Sequence, residues 1–576
     1  MRFARSGSSL LRGVARRCAR DLWRTAGLAA AALLFFACTP ALSASAAAHK
    51  PVLAIIWHVA PPDDADAQLQ AAQVALQAPD TLGTLLRALQ RHPAAHVSLA
   101  ADASYLNALR AAAEGNTALQ AGMRNADYVT ALRILARPTP GQAQTQSSPA
   151  GRRCAAFSGA ARILLDGGRG VHFSADDLRA FAACRAMLQL VRGGFLPPAS
   201  ALLHASSLGA KEQQAAAELL RRSDKALYAQ LQQLARRGSL EVIAEPAYEP
   251  VLPLLIDAAG MSALESANAH VVMLDARVDA ERAVDDGLKA ASAVMPGKAV
   301  GLYSPYGAYD DATAQLLQRK RVAYAIFSDR ILKSAEAGGS AQAAQSAESA
   351  AYHAFTLQTD KAAKLSAFFC DDSESTALSN LPPLLPVSAL AERVAGFASA
   401  VASKTSAEDG TPIALLRIDA DGLWSRRADA PSAVERMLAM LESGRAGSAQ
   451  TPAEIAHMQV ATRTAYGFAA GSAGGSFSLW MGSANQAALW QALVDARKAA
   501  GGDAAISKPA EREVLQRSEA AFWYSLPVAP QSRLYTGRLL DQFRANIAAI
   551  YRHAGMTPPR RIAPFSGGLP VAVPAR

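Results

Sequence analysis

Short apolar segments rich in β-branched residues recur along this chain, each preceded or followed by a stretch of helical spacing. That alternation limits the fold more than any other feature. Pro51-Val-Leu-Ala-Ile-Ile-Trp57 reads as a buried parallel strand. Thr81–Arg91 has Leu82, Leu85, Leu86 and Leu89 on one helical face, and 96–100 is a second strand. The pattern returns as helix 215–237 before strand 239–244, helix 278–292 before strand 299–303, and helix 311–321 before strand 323–327. Strands at 365–369 and 413–418 bring the total to about seven, and this order builds a parallel sheet or barrel. After Trp424 strand signals nearly stop, and 433–443, 485–499, 509–524 and 536–553 read as helices. Two stretches have loop composition: 138–151 is a polar linker, and 334–351 is either a flexible insertion or a weak surface helix.

The length of 576 residues exceeds one ordinary core, and 51% hydrophobic with 18% charged residues excludes a disordered chain. The net charge of +10 is concentrated at one end. Residues 1–48 hold seven arginines against one aspartate, which leaves +4 for the rest. No basic stripe interleaved with aromatics follows, so no nucleic-acid partner is expected. Arg2 through Arg24, the apolar run 26–37 and the small residues 41–48 have the order of a cleaved export signal, with cleavage near 46–49 and a periplasmic or secreted product. The apolar run is shorter than the roughly 20 residues of a membrane helix, so no stable span is expected after cleavage. Cys38, after Leu34-Phe-Phe-Ala, offers the alternative of a lipoprotein anchor. Past the leader only Cys154, Cys184 and Cys370 remain. The first two are the one pair close in sequence, open either to a disulfide or to reading as buried small hydrophobes.

The familiar chemical motifs are absent. Pro93 separates His92 from His96 and prevents a helical metal pair, and the glycine clusters at 167–170 and 471–475 lack the lysine and strand–helix setting of a phosphate loop. No Gly-x-Ser-x-Gly elbow is present. Neither a metal nor a cofactor is expected.

Several segments, taken in order, carry a resemblance. Trp57-His-Val-Ala-Pro-Pro62 stands where a family has His-x-His-Gln-Pro, and His96–Leu106 follows its second-strand pattern. Gly238-Ser-Leu-Glu-Val-Ile and the following Ala247-Tyr-Glu-Pro-Val-Leu-Pro-Leu-Leu255 are similar to its third. Gly301-Leu-Tyr-Ser-Pro-Tyr-Gly307 stands at Gly-Met-Trp-Pro-Ser-Glu-Gly, Phe368-Phe-Cys-Asp371 at Phe-Phe-Arg-Asp, and Asp419-Ala-Asp-Gly-Leu-Trp424 at Asp-Gly-Glu-Asn-x-Trp. The chain thereby resembles glycoside hydrolase family 57. The resemblance implies an incomplete parallel (β/α)7 barrel at 49–430 and a C-terminal helical domain at 431–576, following the export signal read above at 1–48. It also implies an oligo- or polysaccharide partner, an α-glucan or a relative of one.

The implied chemistry departs from the family. Retaining hydrolysis needs two carboxyl groups about 5–5.5 Å apart. The nucleophile position holds Tyr306, and no other carboxylate lies between Gly297 and Tyr309. Asp371 matches the proton donor, and Glu249 replaces a family histidine as a compensating carboxylate. His58 and Trp57, together with Asp419, Asp421 and Trp424, stand at substrate-binding positions. An acidic pocket at the C-terminal barrel face, with Asp372 and Glu374 added, is one expectation. Solvated loop carboxylates are the other. Three functions stay open: a divergent hydrolase or glucanotransferase, an inactive glycan-binding relative serving a surface-polysaccharide system, and a hydrolase with a relocated carboxylate pair.

The leader generates the first prediction. N-terminal sequencing of the exported protein should find a start near 46–49; an intact Met1 on the exported protein would contradict the signal, and a lipidated Cys38 would identify the anchored form.

Overall fold

The computed structural model describes residues 50–60, 67–115, 135, 148–165, 172–265, 274–298, 300–335, 341–359, 364–406, 410–458, 462–527 and 533–560. Residues 1–49, covering the segment read above as an export signal and Cys38, most of the 138–151 linker and Ala299 lie outside them. The chain begins β1 (Val52–Val59), α1 (Ala67–Gln77), α2 (Thr81–Arg91), β2 (Val97–Asp102), α3 (Ala103–Ala113), α4 (Pro149–Leu165), α5 (Ala175–Arg192) and α6 (Ala210–Arg237). Next come β3 (Leu240–Glu245), α7 (Leu252–Glu265), α8 (Arg277–Val294), β4 (Leu302–Tyr303), α9 (Asp311–Arg319), β5 (Tyr324–Ser328), α10 (Arg330–Ala335) and α11 (Ala341–Ala350). Then follow β6 (Ala354–Leu357), β7 (Leu365–Cys370), α12 (Asp372–Ser379), α13 (Ala389–Lys404), β8 (Ile413–Asp419), α14 (Ala420–Arg426) and α15 (Ala430–Glu442). The last elements are β9 (Ser448–Ala449), α16 (Pro452–His457), β10 (Thr462–Ala465), α17 (Ala484–Ala499), α18 (Pro509–Glu519), α19 (Ala521–Ser525) and α20 (Arg533–His553).

Seven parallel strands stand in the order β7-β5-β4-β3-β2-β1-β8, each within a few residues of its expected position. This is the incomplete (β/α)7 barrel. Three short strands were not expected: β6 runs antiparallel to β7, β10 pairs with β6, and β9 pairs with β1. Each has four residues or fewer, too short for an alternating pattern to register. The 334–351 stretch, open between insertion and helix, holds α11.

The parity of the strands separates two cores. Val52, Ala54 and Ile56 of β1, with Ala100, Ile243, Tyr303, Ile326, Phe368, Ile413 and Leu415, form one apolar cluster inside the curl. The alternate residues, Leu53, Ile55 and Trp57 among them, pack outward against helices. The C-terminal helices share a further core with the barrel wall: Trp490, Trp523, Tyr524 and Phe543 lie in one cluster with Leu302, Phe327 and Phe369. Trp490 stacks on Tyr524 at 3.5 Å. Cys154 and Cys184 are free thiols in the core that α4 and α5 share. Among the described residues no helix is long and apolar enough to cross a membrane.

The seam explains why the barrel stops at seven strands. Asp371 N–H donates to Leu415 C=O at 3.2 Å, so β8 comes beside the end of β7, but no ladder forms. Instead Arg417 N–H donates to Ser375 Oγ and Asp419 N–H to Ser379 Oγ, each at 2.9 Å. The two serines are one helical turn apart on α12 and spend their own protons on the carbonyls of Asp371 and Ser375. Helix side chains thus take the place of an eighth strand. Removing both hydroxyls, as Ser375→Ala with Ser379→Ala, should cost about 1–2 kcal/mol per orphaned N–H. Ser399→Ala, which removes an exposed hydroxyl bonded only to its own helix, should be near neutral in the same urea melts.

Candidate active site

Along the barrel interior the apolar layer ends in polar groups at both ends, and the two ends differ. At the N-terminal end Glu241 is saturated. It accepts from Ser98 Oγ (3.1 Å), from Ala453 N–H at the start of α16 (3.2 Å) and from the Tyr324 hydroxyl. At the C-terminal end β1 contributes His58, β2 Asp102, β3 Glu245, β4 Tyr303, and β8 Arg417 and Asp419. Register partners His58–Asp419 and Asp102–Glu245 set their heights.

His58 is the centre of this upper layer. Its Nε2 lies 3.0 Å from Glu249 Oε1 and 3.6 Å from Glu245 Oε2. The three donor atoms are within 4.8 Å of one another, close enough to share one cation. Burial opposes the imidazolium, but Glu245 and Glu249 together outweigh it and hold His58 well above its ordinary value. Burial pushes the Glu249 carboxyl up, Glu245 adds to the rise and the His58 bond moderates it.

The backbone under Glu249 is unusual. Tyr248 and Glu249 adopt φ of 64° and 49°, the left-handed region that costs residues with a Cβ about 1–3 kcal/mol each. Three hydrogen bonds hold them: Tyr248 N–H donates to Asp102 Oδ2 (2.8 Å), Glu249 N–H to the Pro246 carbonyl (3.0 Å) and Ala521 N–H of α19 to the Glu249 carbonyl (3.3 Å). Asp102 also accepts from Ser104 Oγ and Tyr105 N–H. Burial still raises its carboxyl to about 6, with the Glu249 charge contributing. Behind β3, a Cβ on Gly287 would lie 2.2 Å from the Glu245 carbonyl oxygen, so only glycine lets α8 approach this closely.

Tyr306 has φ of 57° and packs edge-on against Trp480, ring centroids 4.9 Å apart. Burial raises its phenol pKa and the neighbouring Glu249 charge raises it further, so the hydroxyl stays protonated at neutral pH. Arg417 lies 5.6 Å from the Tyr303 ring centroid. Asp372 turns inward: Oδ2 accepts from the Ser328 hydroxyl and Oδ1 is buried without a hydrogen bond. Burial raises this carboxyl to about 6, against the partial opposition of Ser328 and Arg417.

The structure brings His58 and Glu249 into contact and sets Tyr306 within the field of Glu249. Asp419 stands beside them as the register partner of His58, and the remaining named residues stand elsewhere. Asp371 has the outward parity of β7 and caps α12, accepting from Glu374 N–H (2.8 Å) and from the Tyr352 hydroxyl (3.2 Å), with Lys333 Nζ at 3.9 Å. Asp419 caps α14 through Asp421 N–H and Gly422 N–H, and Asp421 is half-buried on that helix. Trp57 and Trp424 face the outer core, edge to face at 5.5 Å, and the Trp424 indole donates to Asp80. Glu374 pairs with Arg393. Sequence reasoning missed Glu245, Asp102, Tyr303 and Arg417. The available signal was a charged residue inside or closing an apolar strand: Glu245 ends Leu-Glu-Val-Ile-Ala-Glu with the same parity as Ile243, and Arg417 interrupts Ile-Ala-Leu-Leu-Arg-Ile.

Residues 197–382, from the segment before α6 to just past α12, match the family profile described as glycosyl hydrolase family 57. No curated protein sequence matches the chain. Among solved structures, the GH57-type branching enzyme of the hyperthermophilic archaeon Pyrococcus horikoshii is similar over 89% of this chain and 93% of its own, with 12% identity and a TM-score of 0.53. A GH57 branching enzyme from Thermococcus kodakaraensis is similar over 87% and 90%, with 11% identity and a TM-score of 0.52. The alpha-amylase AmyC of Thermotoga maritima is similar over 88% and 93%, with 10% identity and a TM-score of 0.50. At these identities the likeness is one of fold.

Asp372 generates a prediction of sign. Its folded pKa near 6 lies above its unfolded value, so its contribution to stability is full below the unfolded value and is lost as pH rises through about 6. Asp372→Asn cannot ionise. Urea melts from pH 4 to pH 7.5 should therefore show the variant gaining on the wild type by about 2–3 kcal/mol; a difference that stays constant with pH would contradict the assignment.

Proposed function

We propose that this glycoside-hydrolase-family-57-like chain is an exported carbohydrate-active protein. It acts on or binds an α-glucan or a related polysaccharide at the C-terminal face of its half-barrel. The observation that carries the reading is the convergence of His58, Glu245, Glu249, Tyr303 and Tyr306 at that face, where barrel enzymes hold their substrates. The branching enzymes and the alpha-amylase of similar fold support a glucan as the class of ligand.

Two observations favour binding with little turnover. The residue at the nucleophile position, Tyr306, is a phenol that burial and the Glu249 charge both keep protonated, whereas a tyrosine nucleophile has to be activated by deprotonation. The residue at the donor position, Asp371, is engaged in a helix cap and a tyrosine bond. If turnover occurs, its carboxyl pair is Glu249 and Glu245, which share His58, and not Glu249 and Asp371. Glu249, raised by burial, is then the proton donor.

Titration of the purified mature protein with maltoheptaose or soluble amylose, followed by calorimetry and by release of reducing ends, tests the reading. We expect measurable binding, slow or no hydrolysis, and at least about a tenfold loss of affinity, ~1.4 kcal/mol, in Glu249→Gln. Fast hydrolysis that survives both Glu249→Gln and Glu245→Gln would show the site to be elsewhere, and absence of binding to any α-glucan would refute the ligand class.

A further inference from the structure

We infer that His58, Glu245 and Glu249 form a binding site for a divalent first-row transition ion, with Zn2+ the best fit. The inference stands on the cluster itself and does not depend on the glycan reading. The three donor atoms come from β1, the end of β3 and the loop after it, all within 4.8 Å of one another. Ligands held 2.0–2.2 Å from a tetrahedral ion are about 3.4 Å apart. The His58 Nε2 separations of 3.0 Å to Glu249 and 3.6 Å to Glu245 bracket that spacing.

The second observation is Glu245. It is completely buried, and neither carboxylate oxygen accepts a hydrogen bond from any protein group. A carboxylate removed from water without a donor is among the costliest groups a fold can carry, and such groups mark a missing partner. His58 Nε2 is the nearest cationic atom, but its closer contact is Glu249. One imidazole proton does not satisfy two carboxylates, whereas a divalent ion bound by all three does. His58 Nδ1 is also buried without a hydrogen bond, so the ring's orientation is set by its Nε2 side.

The donor set selects the ion. Imidazole with carboxylates suits Zn2+ or Mn2+, the absence of sulfur disfavours Cu(I), and Ca2+ calls for six to eight oxygens. Three protein ligands leave a coordination position open, as in catalytic rather than structural zinc sites. The Glu249 side chain is 12% exposed against 1% for Glu245, so the open position faces outward on the Glu249 side. Water or a sugar hydroxyl is the ligand that position would take.

The test uses the full mature protein, stripped with chelator and titrated with Zn2+ in the absence of any glycan, with bound metal counted by elemental analysis. One equivalent of zinc should bind, with a rise in melting temperature, and Glu245→Gln should weaken binding at least tenfold. Glu249→Gln is the second variant, for use if the first does not fold. Cobalt in place of zinc should give the visible absorption of a four- or five-coordinate site, lost in the same variants. No stoichiometric uptake of Zn2+ or Mn2+, uptake unchanged in both variants, or selective uptake of Ca2+ would overturn the site.

Discussion

The two hydrogen bonds from β8 to Ser375 and Ser379 determine what kind of barrel this is. A parallel barrel that closes has no free edge, and one that does not close must satisfy the backbone of its last strand by other means. Here α12 does so, because serines at i and i+4 present two oxygens at a spacing close to that of alternate N–H groups along a strand. The consequence reaches the site. With α12 at the seam, the residues that begin it, Asp371 and Asp372, are fixed as cap and first helical residue, and their carboxylates diverge. Asp371 turns out to Tyr352 and Lys333; Asp372 turns in to Ser328.

That divergence shows where sequence reading succeeds and where it stops. The seven parallel strands were legible because buried parallel strands are continuous apolar runs, and the intervening helices because Leu82, Leu85, Leu86 and Leu89 repeat at helical spacing. The meeting of His58 with Glu249 was half legible: each matches or replaces a residue in a family motif, but their contact spans 191 positions. Parity was the missed step. Trp57 and His58 are adjacent, and a strand sends neighbours to opposite faces. Trp57 therefore belongs to the outer core and only His58 to the mouth. The same rule separates Asp371 from Asp372 and brings in Glu245, Arg417 and Tyr303. Strand parity is available in the sequence once one inward residue is known, while the seam that fixes α12 is a tertiary fact with no local signature.

The two ends of the interior differ in how their charges are satisfied. Glu241 below accepts three hydrogen bonds from the protein, as a buried structural carboxylate does. Glu245 above, four residues further along the same strand, accepts none. Asp372 keeps one oxygen without a donor, and Asp102 spends its bonds holding a strained loop. Of the described non-glycine residues with positive φ, three of the four, Tyr248, Glu249 and Tyr306, border this same layer. Backbone strain and a buried carboxylate without a donor meet at this end of the barrel. They persist only where the surrounding structure over-determines them, and they support the proposal that this end is the working face.

The chemistry open to that face follows from which groups keep their protons. Tyr306 and Tyr303 remain neutral phenols because burial and nearby carboxylates both oppose their ionisation. They offer hydroxyl donors and ring faces, suited to holding a sugar and unsuited to attacking one. Under the proposed reading, any attacking or proton-transferring capacity belongs to the two glutamates around His58. The His58 imidazolium ties up a lone pair of Glu249 at 3.0 Å, while the Glu245 oxygens accept no hydrogen bond. Drawing His58 away from Glu249 would free that carboxylate, and an ion held by all three side chains would engage both. Under the proposed reading, the chemistry of the face turns on the occupant of the space between His58, Glu245 and Glu249, more than on the tyrosine that stands at the family's nucleophile position.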